Sequence, residues 1–296
     1  MPMQRTQAQL EEVRFHNPRL SKVGVDAFTL DELRRRTTPK LMSAPQRVDF
    51  HHLLLVQEGR TRHMVDFVDY ELRPGSVLLV RPGQVQQWRV RQGLHGQLAL
   101  ISSEALAPSA GRAETDTRLL ALPDWPTVSK PSQGLFMEAV ADISRLSVDV
   151  QRFVGTDLEV AIIRHELLTL LLRLARELRG AHPARGTTRE AKIHALFAQE
   201  LESNYAGRMS VLDYARRVGF SESTISRACL ATVGRTAKQE IDARVALEAK
   251  RLLVHSEATA AQIGHQLGFT EPTNFLKFFK RTVGCTPLEF REGHAA

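Results

Sequence analysis

Only two cysteines occur in the 296 residues, Cys229 and Cys285, and both fall in the last third of the chain, where helical patterning prevails. So sparse a pair argues against a disulfide framework and suits a reducing cytoplasm. Long apolar runs are missing as well. The densest, Leu167 to Ala175, is broken by Arg173 and flanked by Arg164, His165 and Glu166, so no membrane span is expected. Met1 to Leu10 is polar and lacks the apolar centre of an export signal. A glycine-rich phosphate loop is absent, because Gly75 and Gly83 belong to Pro-Gly turns and not to a strand-to-helix junction. No Ser-His-Asp set can be assembled by spacing. What these absences leave is a soluble, folded chain that is not an enzyme of those kinds. Its length fits two domains, and 43% apolar residues suffice for real cores.

A net charge of +7 suits an anionic partner, but from residue 189 onward fifteen Lys or Arg stand against twelve Asp or Glu. The bias is spread along the chain, so composition alone does not establish nucleic-acid binding. Patterning does more. Thr259 to Leu267 reads as a short helix with Ala260, Ile263 and Leu267 inward, followed by a Gly268-Phe269-Thr270 turn. Glu271 to Val283 then carries Phe275, Phe278 and Phe279 at helical spacing, which buries one face and leaves Thr273, Asn274, Leu276, Lys277, Lys280 and Arg281 outward. Gly284 stops this helix, and Thr286-Pro287 opens a last short one. Fifty residues earlier the same unit occurs: Leu212 to Val218, the turn Gly219-Phe220-Ser221, and Glu222 to Val233 ended by Gly234. There Ser223, Ser226 and Arg227 are the outward residues. Between the units, Thr236 to Ser256 reads as one helix of about 20 residues, hence about 30 Å, close to the roughly 34 Å of one duplex turn.

These residues carry a resemblance. From about Lys192 to Arg291 the chain resembles the paired helix-turn-helix domain of the AraC/XylS family of bacterial transcription regulators. Gly268-Phe269, Asn274-Phe275, Phe278-Phe279-Lys280, Gly284, Thr286-Pro287 and Phe290-Arg291 fall in the family's order and spacing. The first unit departs from it, having Cys229, Leu230 and Ala231 where the family has a Phe followed by basic residues. Fewer phosphate contacts are expected from that helix. The resemblance implies that Ser223, Ser226, Arg227, Thr273, Asn274, Leu276 and Lys277 make base or backbone contacts with double-stranded DNA. By chemistry, Arg pairs with guanine, Asn with adenine, and Leu touches a thymine methyl. Lys280 and Arg281 are expected on phosphates.

Residues 1 to 48 are basic and irregular, with Phe28 to Leu33 read as strand or turn and Arg34-Arg35-Arg36 as a solvated loop. From Val48 the texture is that of short strands: His51 to Gln57, one segment from Thr61 to Tyr70, Val77 to Val80, Gln86 to Val90 and Gly96 to Ser102, with turns at Glu58-Gly59, Pro74-Gly75 and Pro82-Gly83. This suggests a small double-sheet β barrel. It resembles the cupin-like sensor domain of AraC/XylS regulators over about residues 25 to 105, which implies a small-molecule effector. His51, His63 and Trp88 are the candidate effector contacts. A metal site is not expected. Neighbouring strand residues point to opposite faces, so at most one of His51 and His52 enters the barrel, and Gln86 and Gln87 stand where a metal cupin has a further histidine.

Residues 107 to 134 are expected to cross the surface. Helices resume at Leu135, with one stripe of Phe136, Val140, Ile143 and Leu146, and a broader one of Leu158, Ile162, Leu168, Leu171, Leu172, Ala175 and Leu178 that could cover the barrel or pair two chains. Gly180 to Thr188 reads as a flexible linker. The expectation is an α+β protein in three parts: residues 1–180, a cupin-like sensing and dimerisation domain; residues 181–188, a linker; residues 189–296, an all-α double helix-turn-helix domain. By the resemblance it is a cytoplasmic, homodimeric, effector-responsive activator that contacts RNA polymerase and needs no cofactor. Two alternatives stand beside this: a metal-dependent cupin enzyme fused to a DNA-binding module, and a constitutive DNA-binding protein with a structural barrel.

Overall fold

The computed structural model describes residues 11–89, 93–106, 120, 122, 125–180 and 188–294. The chain divides into two compact units, Leu10–His182 and Pro183–Ala296. The expected linker lies outside the described residues except for Thr188, whose hydroxyl accepts from Ala191 N and caps the first helix of the second unit.

Among the described residues of the first unit, ten strands form two five-stranded sheets: β1 (Glu11–Val13), β2 (Val25–Thr29), β3 (Gln46–Val48), β4 (His51–Glu58), β5 (Thr61–Val65), β6 (Val68–Leu72), β7 (Val77–Val80), β8 (Val85–Arg89), β9 (His95–Ile101) and β10 (Val128–Ser129). The sheets run β1-β3-β8-β5-β6 and β10-β7-β4-β9-β2. Strand β4 sits at the centre of the second sheet, pairing Leu53 with Leu79 on one side and with Ala99 on the other. Its apolar run has a two-sided cause. Leu54 and Val56 pack with Phe28, Leu78, Val80 and Leu98 inside the barrel, while Leu53 and Leu55 pack with Leu79, Ala99 and Ile101 against helices. A strand buried on both faces loses the apolar-polar alternation of a half-exposed one.

Those helices are α3 (Gln133–Arg152) and α4 (Asp157–Gly180), which follow α1 (Leu30–Arg36) and α2 (Pro39–Ser43). Four sequence expectations are corrected here. The loop at Arg34-Arg35-Arg36 is helical: Thr29 and Glu32 make a capping box, Arg34 Nη2 donates to Leu94 O at 2.6 Å, and Arg36 Nη1 pairs with Asp26 at 3.3 Å. Thr61 to Tyr70 is two strands joined by a tight turn, with Asp66 and Phe67 both at positive φ, and the Asp66 carboxylate accepting from Val85 N and Gln84 Nε2. The α4 stripe is rotated. Ile163, Leu167, Leu170, Leu171, Leu174 and Ala175 are buried, whereas Leu158 and Ile162 are 72% and 44% exposed, because leucines at nearly every position let several faces satisfy helical spacing. Most of residues 107–134 lies outside the described residues, but Trp125 is buried, donating to Leu120 O, and β10 extends a sheet.

The second unit is helical: α5 (Arg189–Asn204), α6 (Val211–Val218), α7 (Glu222–Val233), α8 (Ala237–His255), α9 (Ala260–Gln266), α10 (Pro272–Val283) and α11 (Pro287–His294). Capping residues set the ends. Ser210, Ser221, Thr236 and Thr259 accept backbone N–H bonds at N-termini, while Gly219, Gly234 and Gly284 take the left-handed conformation at C-termini. Helix α8, with 19 residues, spans about 28 Å. In the second helix pair Phe275 meets Phe269 and Phe279 at 5.3 and 5.9 Å, and α9 comes close because residue 264 is glycine. A Cβ there would stand 2.9 Å from Phe275 Cβ.

Truncating this cluster tests its weight. Phe275→Ala is expected to cost about 3–5 kcal/mol through the cavity it leaves, read from denaturant unfolding followed by far-UV circular dichroism. A loss below about 1 kcal/mol would mean that the helix pair is held by something other than its rings.

Candidate nucleic-acid interface and barrel cavity

Helix α10 separates its two faces cleanly. Phe275, Phe278 and Phe279 are buried, and Thr273, Asn274, Leu276, Lys277, Lys280 and Arg281 are all exposed. Leu276 is 43% exposed despite being apolar, so its methyls remain free for a partner's apolar group. Pro272 occupies the first turn, where its missing N–H costs nothing. Arg281 Nη2 stands 3.5 Å from Asp242 Oδ2, a pair too exposed on the arginine side to neutralise the face.

Helix α7 is the weaker copy. Ser223 and Arg227 are exposed but Ser226 is half-buried, and the Ser223 hydroxyl lies 3.0 Å from that of Ser221, the cap. Leu230 and Ala231 face outward where α10 has Lys280 and Arg281. Cys229 is fully buried in the place that Phe279 fills in α10. Burial, then the charge of Glu240, pushes its thiol up to about 12, which keeps it protonated and unreactive.

In the first unit a cavity of about 390 Å³ opens inside the barrel, walled by Phe28, Phe50, Leu98, Trp88 and His52, with Asp26 and Arg36 supplying charge. The structure replaces His51 with His52 here. His52 has the same parity along β4 as the inward Leu54, whereas His51 has that of Leu53 and lies toward the helices, outside the cavity lining. His63 is fully buried behind the wall, its ring 4.7 Å from that of Trp88. Of the three expected contacts, Trp88 alone lines the cavity. His52 Nδ1–H and His63 Nε2–H both donate to Gln86 Oε1, each at 3.1 Å, which leaves His52 Nε2 and His63 Nδ1 as buried acceptors with no hydrogen-bond donor. Burial lowers His52 from 6.5 to about 4, and burial together with His52 lowers His63 to about 3, so both rings are neutral. Among the described residues no group of three His, Cys, Asp or Glu could hold a metal ion. No described helix is long and apolar enough to cross a membrane.

A sequence profile of the AraC-like ligand binding domain matches residues 32–196, and a helix-turn-helix domain profile matches residues 214–293. The HTH-type transcriptional activator RhaS of Klebsiella pneumoniae is 24% identical over 283 residues, covering 95% of this chain and 98% of its own. RhaS of Escherichia fergusonii is 25% identical over 281 residues, covering 92% and 97%. Among solved structures, unsaturated fatty acid bound ToxT from Vibrio cholerae superposes with a TM-score of 0.41 at 13% identity, over 90% of this chain and 94% of that one.

Two outcomes are expected. Lys280→Ala should weaken binding to every duplex sequence and reduce the slope of log affinity against log salt by about 0.9, the loss of one phosphate contact; an unchanged slope would remove Lys280 from the interface. For the barrel, the unfolded histidines bind protons from 6.5 downward and the folded ones only near 4 and 3. Stability is therefore full above pH 6.5 and falls as the pH drops from there toward 4. Thermal melts followed by the fluorescence of Trp88 and Trp125 should move to lower temperature across that window, and a flat profile would contradict neutral burial.

Proposed function

The chain belongs to the AraC family of helix-turn-helix transcription regulators, and from that premise we propose that it is an effector-responsive activator. One observation carries the DNA-binding part: two helix-turn-helix units joined by a helix of about 28 Å, the second presenting an exposed face with Lys277, Lys280 and Arg281. That length suits recognition helices about one duplex turn apart on the same side of DNA. Asn274, Leu276, Arg227 and Ser223 are then the candidate base contacts, and Lys280 and Arg281 sit on phosphates. Activation, with contact to RNA polymerase, is supported by likeness to RhaS over nearly the whole chain.

The domains divide the work as residues 1–180 for sensing and pairing, 181–188 as linker and 189–296 for DNA. The barrel takes a small organic effector and performs no catalysis. Its cavity is walled mainly by apolar and aromatic groups, and the free His52 Nε2 calls for a hydroxyl or N–H donor on the ligand. Dimerisation runs through α3 and α4, whose exposed Met137, Val148, Leu158 and Ile162 lie off the face that packs on the barrel. Effector binding changes how two DNA-binding units are presented, in the cytoplasm, where Cys229 and Cys285 stay reduced.

Selection of duplexes from a random pool by the full chain, followed by transcription from a promoter bearing the selected site, tests this reading; failure to enrich any sequence would end it. A thermal-shift screen of small organic compounds is expected to find a ligand that stabilises the barrel, by about 2.7 kcal/mol at a hundredfold excess over Kd. His52→Phe, which fills the cavity and removes the acceptor, should abolish that shift while leaving the selected sequence unchanged. A shift that survives His52→Phe would place the effector elsewhere.

A further inference from the structure

The turn before α6 contains a cation that belongs to neither recognition helix. Arg208 follows the short 3₁₀ turn Tyr205–Gly207 and has φ 52° and ψ 34°, the left-handed region that costs a non-glycine residue about 1 kcal/mol or more. Its side chain does not extend into solvent alone. The guanidinium lies over the Phe269 ring at 4.0 Å and faces Phe278 at 5.2 Å, so an arginine of the first helix-turn-helix unit is laid against the turn and recognition helix of the second. Residue 268 has to be glycine for this, since a Cβ there would meet Ala206 O at 2.6 Å and Arg208 Cγ at 2.7 Å.

The stacked guanidinium forms one wall of a recess of about 380 Å³. Lys277 and Arg281, one turn apart on α10, line the same recess, and Thr270 and Asn274 add polar groups to it. Neither Arg208 nor Lys277 has a hydrogen-bond acceptor among the described residues; Arg281 has Asp242 at 3.5 Å, and that carboxylate is shared with Lys238 at 2.5 Å. Burial lowers the pKa of Arg208, with Asp242 working the other way and Arg281 adding to the fall. Three cations thus converge on a cleft that is short of anions.

We infer that this recess is a phosphate site, in which Arg208, Lys277 and Arg281 hold the DNA backbone where it passes between the two major-groove segments. The inference rests on the DNA-binding reading above. With recognition helices about one duplex turn apart, the sugar-phosphate strands bordering the intervening minor groove cross the junction between the two units, which is where Arg208 lies. Stacking on Phe269 fixes the arginine fork before binding, so less side-chain freedom is lost on contact. The contact reads no base. It offsets the missing cations of α7, where Leu230 and Ala231 replace the lysine and arginine of α10.

The test uses the full chain with a fluorescein-labelled duplex of mixed sequence, titrated over a series of salt concentrations. Arg208→Met keeps an apolar stem on Phe269 but no charge, and is expected to lower the slope of log affinity against log salt by about 0.9. Arg208→Lys should keep most of that slope. A Met variant with the wild-type slope overturns the proposal, as does an equal loss in Met and Lys variants, which would make the arginine a structural stack only. If the Met variant melts early, Thr270→Glu, which puts a carboxylate in the recess without touching the stack, reads the same site and should weaken binding at every salt concentration; unchanged binding overturns the proposal. Failure of the wild-type chain to bind the duplex at low salt would instead strike the DNA-binding reading itself.

Discussion

Everything that α10 presents to a partner is fixed by three phenylalanines on its opposite side. Phe275, Phe278 and Phe279 are buried among Phe269, Phe290 and α9, and Gly264 allows the two helices of the pair to touch. A helix of 12 residues has little stability alone in water. Its docking supplies that stability, and because the rings interdigitate it also sets the rotation of the helix about its axis. Turning the helix by one residue would bury a lysine and expose a ring, so the polar face has one orientation. The same cluster holds Arg208 through Phe269, which makes the first helix-turn-helix unit answer to the packing of the second.

The two units share a backbone plan and differ in what they can do. A hydroxyl N-cap on the first helix, a positive-φ glycine in the turn and after the second helix, and the helix lengths correspond, since these are demands of the helix pair itself; the second helices open differently, α7 on Ser221 and α10 on Glu271-Pro272. Chemistry on the outer faces is free to diverge. In α7 a buried thiol replaces a ring and outward Leu230 and Ala231 replace cations, so the α7 unit has the smaller aromatic core and the weaker electrostatic hold. On the proposed DNA-binding reading, salt-dependent affinity comes mainly from α10 and the loop at Arg208, leaving Arg227 as the long cation of α7.

The barrel solves a different problem, that of keeping polar groups next to an apolar cavity. Gln86 does so by offering one oxygen to two histidines, which selects the tautomer of each and leaves its other nitrogen bare, while burial keeps both neutral. Burial holds both imidazoles well below their ordinary range, and His52, 6.5 Å away, lowers His63 further. A cavity built this way suits a ligand that brings its own hydrogen-bond donor.

The helix-turn-helix pairs were legible residue by residue, because each depends on local signals: Ser or Thr before a helix, Gly after it, apolar residues every third or fourth position. Phe275, Phe278 and Phe279 fell on the buried face and Lys277, Lys280 and Arg281 on the exposed one, as spacing alone requires. Strands β4, β7, β8 and β9 and the Pro-Gly turns were legible for the same reason, whereas the turn inside Thr61 to Tyr70 and the short strands β1, β3 and β10 were not. Which face of β4 enters the cavity was not, since period-two alternation says that His51 and His52 diverge without saying which goes in; the register with β7 and β9 decided for His52. Helix α4 was ambiguous because leucine occupies too many positions for spacing to choose a side. The cap at Thr29 and Glu32 was written in the chain, but the helix it starts has only 7 residues and little periodicity to support it. Arg208 lay beyond sequence reasoning altogether, because its role comes from Phe269, a residue about sixty positions away that only the packed structure brings beneath it.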